Sequence, residues 1–273
     1  MDNYAFRKFK NTLFLALCSI CIIIALIPLI SIIIEVVVRG APQINLEFLV
    51  TSGNGIGPAI QGTLILMGLT SLIGMPLGIV SGIYLAEYGY NRYASWMRTF
   101  NDLLTEFPSI VVGITVSVIV VINILGSFSA IAGAIALSFM LIPIVARTTE
   151  ESLKLVPNSV REASMALGVH RWKTILMIVL PAGKSGLITG ALLAVARIAG
   201  ETAPLIMTVL GSRHFFQGFG EPMAALPITI WRSALQPSPT VQAQGWGAAL
   251  VLILIVLSLN IGVRLASRGR LQK

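Results

Sequence analysis

The stretch Phe107–Ala146, FPSIVVGITVSVIVVINILGSFSAIAGAIALSFMLIPIVA, runs for 40 residues without one charged side chain. A helix rising ~1.5 Å per residue crosses a ~30 Å hydrocarbon core in about 20 residues. Phe107–Ala146 therefore reads as two crossings, with Gly126-Ser127 as the turn between them. Working outward, Asn11–Ile34 is uncharged for 24 residues, and a further crossing falls at about Ile60–Ala86. Lys173–Gly211 holds a fifth and Trp246–Leu265 a sixth. The pattern predicts an all-α, polytopic membrane protein of six transmembrane helices. Composition agrees: of 273 residues, 56% are apolar and 11% charged, less than half the charge of an ordinary soluble domain. A soluble enzyme, a disordered chain and a nucleic-acid-binding protein are excluded. The net charge of +8 comes from Lys and Arg in short runs between apolar spans.

Those basic residues predict the orientation. Fourteen fall in the N-terminus, the segments between spans two and three and between four and five, and the C-terminus. The alternate segments carry three: Arg39, Arg213 and Arg232. Positive charge stays inside, so both termini are expected in the cytosol of a plasma (inner) membrane protein. The first span resembles a signal peptide, but it is too long and lacks a small-x-small cleavage pattern before Glu35, so it reads as an anchor. The expected layout is an anchor helix with an extracytosolic segment (1–59), a five-helix core (60–266) and a basic cytosolic tail (267–273). Arg39, Arg213 and Arg232, with Trp231 and Trp246, read as surface or interface anchors. Cys18 and Cys21 read as core cysteines, and two histidines, His170 and His214, exclude a multi-His metal centre.

Two motifs fail. Gly183-Lys184-Ser185 ends like a phosphate-binding loop, but the full pattern needs glycine where Ile178 stands. Gly53-Asn54-Gly55-Ile56-Gly57 is glycine-rich without a preceding strand and reads as a loop. Gly74, Gly78 and Gly82, and the pair Gly186/Gly190, have the small-residue spacing that lets helices approach closely, read here as packing within the chain. The two halves of the chain show no long repeat, so an inverted-repeat carrier gains no support.

The cytosolic segment Val156–Gly168, VPNSVREASMALG, predicts a helix of about two turns. Ser159 and Glu162 fit an S-x-x-E capping box, and Gly168 suits the position past the C-terminus. Val160, Ala163, Ser164 and Leu167 are expected to form one apolar stripe. So short a helix needs a support: its own spans, or a groove on a partner protein. Spacing alone leaves both open.

Glu162-Ala163-Ser164, with Gly168 and then Ile178-x-Leu180-Pro181, resembles the EAA motif of ABC-importer permeases, in which alanine is usual at the third position. The resemblance implies a type I (MetI-like) permease core whose coupling helix, about 157–170, sits in a cleft of a cytosolic ATPase. Four further runs narrow it: Gly55–Ile60, Pro108–Val111, Arg147–Glu151 and Gly200–Leu205 resemble the PstA-type branch of phosphate-specific (Pst) permeases. Implied partners are a second, homologous permease (PstC type), an ATPase dimer (PstB type) and an extracytosolic phosphate-binding protein (PstS type). The chain itself would bind no cofactor and catalyse no hydrolysis; ATP and Mg are used by the partner ATPase.

The second informative run is Ala196-Arg197-Ile198-Ala199-Gly200-Glu201-Thr202-Ala203-Pro204. Arg197 lies near mid-span, where each charge costs about 2.5–3.5 kcal/mol on insertion scales. Glu201, four residues on, is expected to pair with it. Pro204 frees the carbonyl of Gly200, so a bend or break is expected there. Irregular backbone at this depth is tolerated only against protein or a watery cavity, which points to a translocation path. The chemistry suits phosphate: arginine is always protonated and its planar fork matches two phosphate oxygens. Glu201 is expected to hold Arg197 when the path is empty and to accept a phosphate hydroxyl proton in transit, which sulfate lacks; Thr202 adds a hydroxyl. Arg147, expected to close the fourth span, reads equally as an anchor or as part of the inner exit. Rival readings are a permease for sulfate, molybdate or phosphonate, and a channel or secondary carrier.

Overall fold

Among residues 2–268, which the computed structural model describes, every regular element is a helix. In chain order they are α1 (Asp2–Gly40), α2 (Leu46–Val50), α3 (Gly57–Glu87), α4 (Arg92–Glu106) and α5 (Ser109–Val116), which continues as a π-helix, Ser117–Leu125. Then come α6 (Ala130–Lys154), α7 (Asn158–Ala166) and α8 (Arg171–Thr174), which passes through a π-helical turn, Ile175–Val179, into α9 (Leu180–Ile198). The chain ends with α10 (Ala203–Thr208), α11 (Leu226–Ala234) and α12 (Pro239–Arg268). Residues 269–273 of the expected basic tail lie outside the described residues.

Five stretches are long and apolar enough to cross a bilayer: Phe6–Gln43, Gly57–Glu87, Ala130–Lys154, Arg171–Ile198 and Pro239–Gly262. The stretch expected to hold the third span is entered through a sharp corner. Phe107 is extended (φ −62°, ψ 133°), because the following proline crowds out the helical conformation. There α4 and Ser109–Leu125 meet at a bend of 100°. α4 carries the polar residues Arg98, Asn101, Asp102 and Glu106, whereas Ser109–Leu125 carries no charge.

α6 is the central helix, and glycines make its two flanks close. From α3, a Cβ at Gly74, Gly78 or Gly82 would sit 2.9 Å from a Leu141 methyl, 2.7 Å from Val145 Cβ and 2.5 Å from the Ala146 carbonyl oxygen. From α9, the glycines at 183, 186 and 190 lie equally close to Leu153, Ser152 and Thr148. The glycine spacing thus serves packing within the chain. Along this seam Leu141, Val145, Ala194 and Ile198 form one apolar cluster.

The start of α6 is buried, and its free backbone donors are all matched. Ser129 N–H donates to the Thr208 carbonyl (3.0 Å), Ala130 N–H to Glu221 (3.2 Å) and Ile131 N–H to Phe219 (3.1 Å). Ala132 N–H is capped by the Ser129 hydroxyl (3.2 Å). Two of these acceptors, and the residues after them, belong to Ser212–Gln244, between the fifth and sixth apolar stretches; Met223, Ala224, Ala225, Leu226 and Ile228 are buried there, and α11 follows. Close passage explains it, since a Cβ at Gly62 of α3 would overlap the Ala224 carbonyl.

α1 stands apart. None of its most apolar window is buried within the chain. It meets α12 at one end, where Gly40 approaches the Trp246 carbonyl and the Arg39 guanidinium lies 5.3 Å from the Trp246 ring. Cys18 and Cys21, expected in a core, are exposed on α1 for this reason.

The helix contact yields a test. Gly82→Ala is expected to lower stability by about 1–3 kcal/mol, the range for overpacking. Gly68→Ala, with nothing within 4 Å of the new methyl, is expected to be neutral or mildly stabilising. Thermal unfolding of both variants in one detergent checks the difference, and equal midpoints would contradict the packing.

Candidate functional site

The fifth span is interrupted. α9 stops at Ile198 and α10 resumes at Ala203. Pro204, second residue of α10, has no N–H for the Gly200 carbonyl, which receives the Thr202 hydroxyl instead, at 3.4 Å. Glu201 N–H turns back to the Ile198 carbonyl (3.1 Å), and Ile206 N–H takes that of Thr202 (3.1 Å). No Cβ contact lies within 4 Å of Gly200, which faces open space.

Arg197 and Glu201 line one cavity of about 120 Å³ beside this break, with Leu104, Thr105, Phe107, Ser109, Met140 and Ile144. Three elements meet there: the α4–α5 corner, the middle of α6 and the end of α9. The expected Arg197–Glu201 ion pair is corrected, since no nitrogen–oxygen approach within 4 Å joins them among the described residues. The reason is the break itself. Residues four apart face each other only on a continuous helix, and α9 has ended before Glu201. The guanidinium is consequently exposed, and its donors are free for another anion.

Ser109 is the cavity residue that sequence reasoning missed. It opens α5, whose first N–H groups have no partner within the helix, so the positive end of a helix dipole joins Arg197 at the cavity wall. The signal was Pro108-Ser109, a proline ahead of a helix start. Thr202 sits at the break, half-buried, and precedes α10.

Arg147 does not join this group. α6 runs on past it to Lys154. It pairs with Glu151 (3.1 Å) and Asp102 (3.6 Å) and lines a separate cavity of about 230 Å³.

The second candidate region is α7. Pro157 precedes it with no side-chain cap, so the capping box does not form: the helix starts at Asn158 and places Ser159 inside its first turn. Gly168 has φ +79°, as expected past a C-terminus. Gly168 N–H donates to the Met165 carbonyl (2.9 Å) and Val169 N–H to that of Ser164 (3.3 Å), the paired bonds of a Schellman motif. The apolar stripe does not pack as a unit. Ser164 is buried and its hydroxyl bonds Thr174 (2.8 Å), whereas Glu162, Ala163, Met165 and Leu167 point outward, Leu167 85% exposed. Where related motifs carry alanine, this chain therefore uses the hydroxyl.

The charges near α7, whose basic members the sequence offered only as topology signals, form a partly buried set. Arg98 donates to Glu150 (2.8 Å) and to the carbonyls of Gly89 (2.9 Å) and Leu85 (3.0 Å), closing the end of α3. Arg161 pairs with Glu87 at 2.8 Å.

Comparison with known proteins bears on all of this. Residues 74–271 match the family described as binding-protein-dependent transport system inner membrane component. The chain is 42% identical over 270 residues to the phosphate transport system permease protein PstA of Haemophilus influenzae, covering 96% of this chain and 95% of that one. It is 44% identical to the protein of that name from Yersinia pestis, covering 96% and 91%. Among solved structures, a bacterial alginate ABC transporter in complex with its alginate-pentasaccharide-bound periplasmic protein superposes with a TM-score of 0.71 at 18% identity, covering 98% of both chains. The MetNI methionine ABC transporter, inward facing, gives 0.62 at 16%, covering 78% of this chain and 96% of that one. The last two likenesses concern the fold. By family match and by relatives above, the chain belongs to the inner-membrane components of binding-protein-dependent transport systems.

Proposed function

We propose that this chain is the membrane permease subunit of an ATP-driven importer of inorganic phosphate. The observation that carries the reading is Arg197: an unpaired guanidinium deep in a span, at a helix break, facing a cavity with Ser109 and Glu201. The phosphate permeases to which the chain is 42–44% identical support phosphate as the cargo.

In this reading six crossings run with both termini in the cytosol, supported by the fourteen-to-three bias of basic residues. Residues 1–59 form the anchor and outer segment, and 60–266 the core. A second permease of the PstC type covers the exposed side of the Arg197 cavity, completing the path. A PstB-type ATPase pair receives the outward residues of α7, and a PstS-type protein delivers phosphate from outside. The alginate transporter bound to its periplasmic protein supports the last of these arrangements.

A low-dielectric wall makes a fixed positive group worth more to phosphate than in water. Arg197 presents two parallel donors to two phosphate oxygens. Ser109 and the first N–H groups of α5 add neutral donors. Glu201 accepts from a phosphate hydroxyl, which sulfate cannot offer, and Thr202 can add a further hydroxyl contact. Because Glu201 does not hold Arg197, an arriving anion displaces no internal ion pair. ATP and its Mg stay on the partner, and this chain transmits the partner's motion through α7.

Two outcomes are expected from ATP-dependent uptake of labelled phosphate by the reconstituted complex. Arg197→Ala should cut uptake by about 10²-fold, consistent with 2–3 kcal/mol for a charged hydrogen bond lost, while Glu201→Gln should admit sulfate as a competitor. Wild-type uptake with sulfate still excluded in Glu201→Gln would remove that residue's role.

Gly168→Asp is expected to leave the protein in the membrane but to uncouple uptake from hydrolysis. A non-glycine residue at φ +79° costs about 1–2 kcal/mol, which loosens the end of α7. Normal binding-protein-stimulated ATPase activity and uptake in this variant would contradict the assignment.

A further inference from the structure

The chain itself joins α7 to α6 through residues 155–157 and to α8 through residues 167–170. The Ser164–Thr174 hydrogen bond also joins it to α8, hence to α9. An ion pair between distant parts of the sequence joins it to α3. Glu87 is the last residue of α3, its side chain 5% exposed, and one of its carboxylate oxygens accepts from Arg161 Nε (3.0 Å) and Nη2 (2.8 Å).

Arg161 is saturated. Beyond Glu87, its Nη1 donates to the Val156 carbonyl (2.5 Å) and its Nη2 to that of Leu153 (2.9 Å). One guanidinium thus ties α7 to the ends of both α3 and α6. Arg171 grips the same corner from beyond α7: it donates to the Glu87 backbone carbonyl, and its guanidinium lies 4.5 Å from the Tyr88 ring centroid.

Static attachment does not call for this chemistry. Two apolar side chains would hold a resting helix without dehydrating two charges. What a saturated, two-point charged bond adds is orientation: α7 cannot slide or roll against α3 without leaving a buried carboxylate unmatched. α3 in turn meets α6 through its glycine face, with backbone almost touching backbone.

We propose that Glu87 is a positioning residue for transport. Through Arg161 it carries displacement of α7 into the α3–α6 pair, whereas Ser164–Thr174 carries it only toward α9. This rests on the reading of α7 as the contact with the ATPase, and the Arg197 cavity then receives motion on two sides.

The test uses the complete transporter in nanodiscs, with Cys18 and Cys21 replaced by serine. Spin labels at Leu72 of α3 and Leu193 of α9, both exposed, report the separation of the two helices. In the otherwise wild-type chain, ATP with vanadate is expected to shift that distance. In Glu87→Gln and in Arg161→Gln the shift is expected to vanish, and phosphate moved per ATP to fall about tenfold, a usual size for coupling between sites. A cysteine pair at 87 and 161, without spin labels, is then joined by a reducible bifunctional thiosulfonate. Bridging should restore phosphate per ATP, and reduction should abolish it again. Single variants that keep both the wild-type distance shift and the wild-type ratio overturn the proposal. Should Glu87→Gln fail to accumulate, the bridged pair decides it, by comparison before and after reduction in one preparation; an unchanged ratio overturns it. A wild type that shows the shift but moves no phosphate counts against the cargo, and Glu87 is then judged by the shift alone.

Discussion

A helix whose start is buried in protein has four backbone N–H groups with nothing in their own helix to bond, and water does not reach them as a substitute. α6 begins in just such a place, with Ser129, Ala130 and Ala132 fully buried. Much of the architecture follows from meeting that demand. The segment after α10 has to return through the bundle so that Phe219 and Glu221 can present carbonyls to α6, beside that of Thr208 at the end of α10. That return buries Met223–Ile228, forms part of the apolar cluster with Leu66 and Leu137, and sets where α11 starts. The central helix is thereby fixed, and the glycine faces of α3 and α9 have a rigid surface to close on.

The break at residues 199–202 reverses the arrangement. Here the polar groups are left open: Gly200 faces empty space, Arg197 is exposed and Glu201 stands clear of it. The two interruptions lie in one bundle, and only one is sealed. A chain that can seal a buried helix start with four bonds had the means to seal the second. Leaving it open suits a surface completed by other molecules and visited by an anion.

Much of this was legible in the residues because membrane solvent imposes coarse rules. Forty uncharged residues hold two apolar helical stretches split at Gly126, Gly168 past a short helix marks its stop, and glycines four apart allow close backbones. What escaped is tertiary. The Phe107-Pro108 corner looks apolar throughout, yet proline's effect on its neighbour turns the chain through 100°. Residues 223–230 are apolar enough to be buried, but which helix they pass is a matter of space beside Gly62. Arg197 and Glu201 sit at helical spacing in the sequence, and only the position of the break decides that they separate. Ser109 reaches the cavity from nearly 90 residues away, so no local pattern could join it to Arg197. Glu87 ends an apolar run and Arg161 lies within a charged segment, and their partnership 74 residues apart is invisible to a count of signs.

The isolation of α1 has a consequence for biogenesis. Its backbone is satisfied within itself, its stretch Phe6–Gln43 has a mean hydropathy of 3.1 in its most apolar window, and it draws on the others only around Gly40. Such a helix can leave the translocon for lipid unaccompanied. α3 and α6 cannot do so on equal terms, because each carries a face shaped for the other and polar groups such as Thr70 and Ser138 between them. Insertion of this chain thus divides into an independent first stage and a cooperative second one, and a lesion in the glycine seam would strand half-assembled protein behind an anchor already in place.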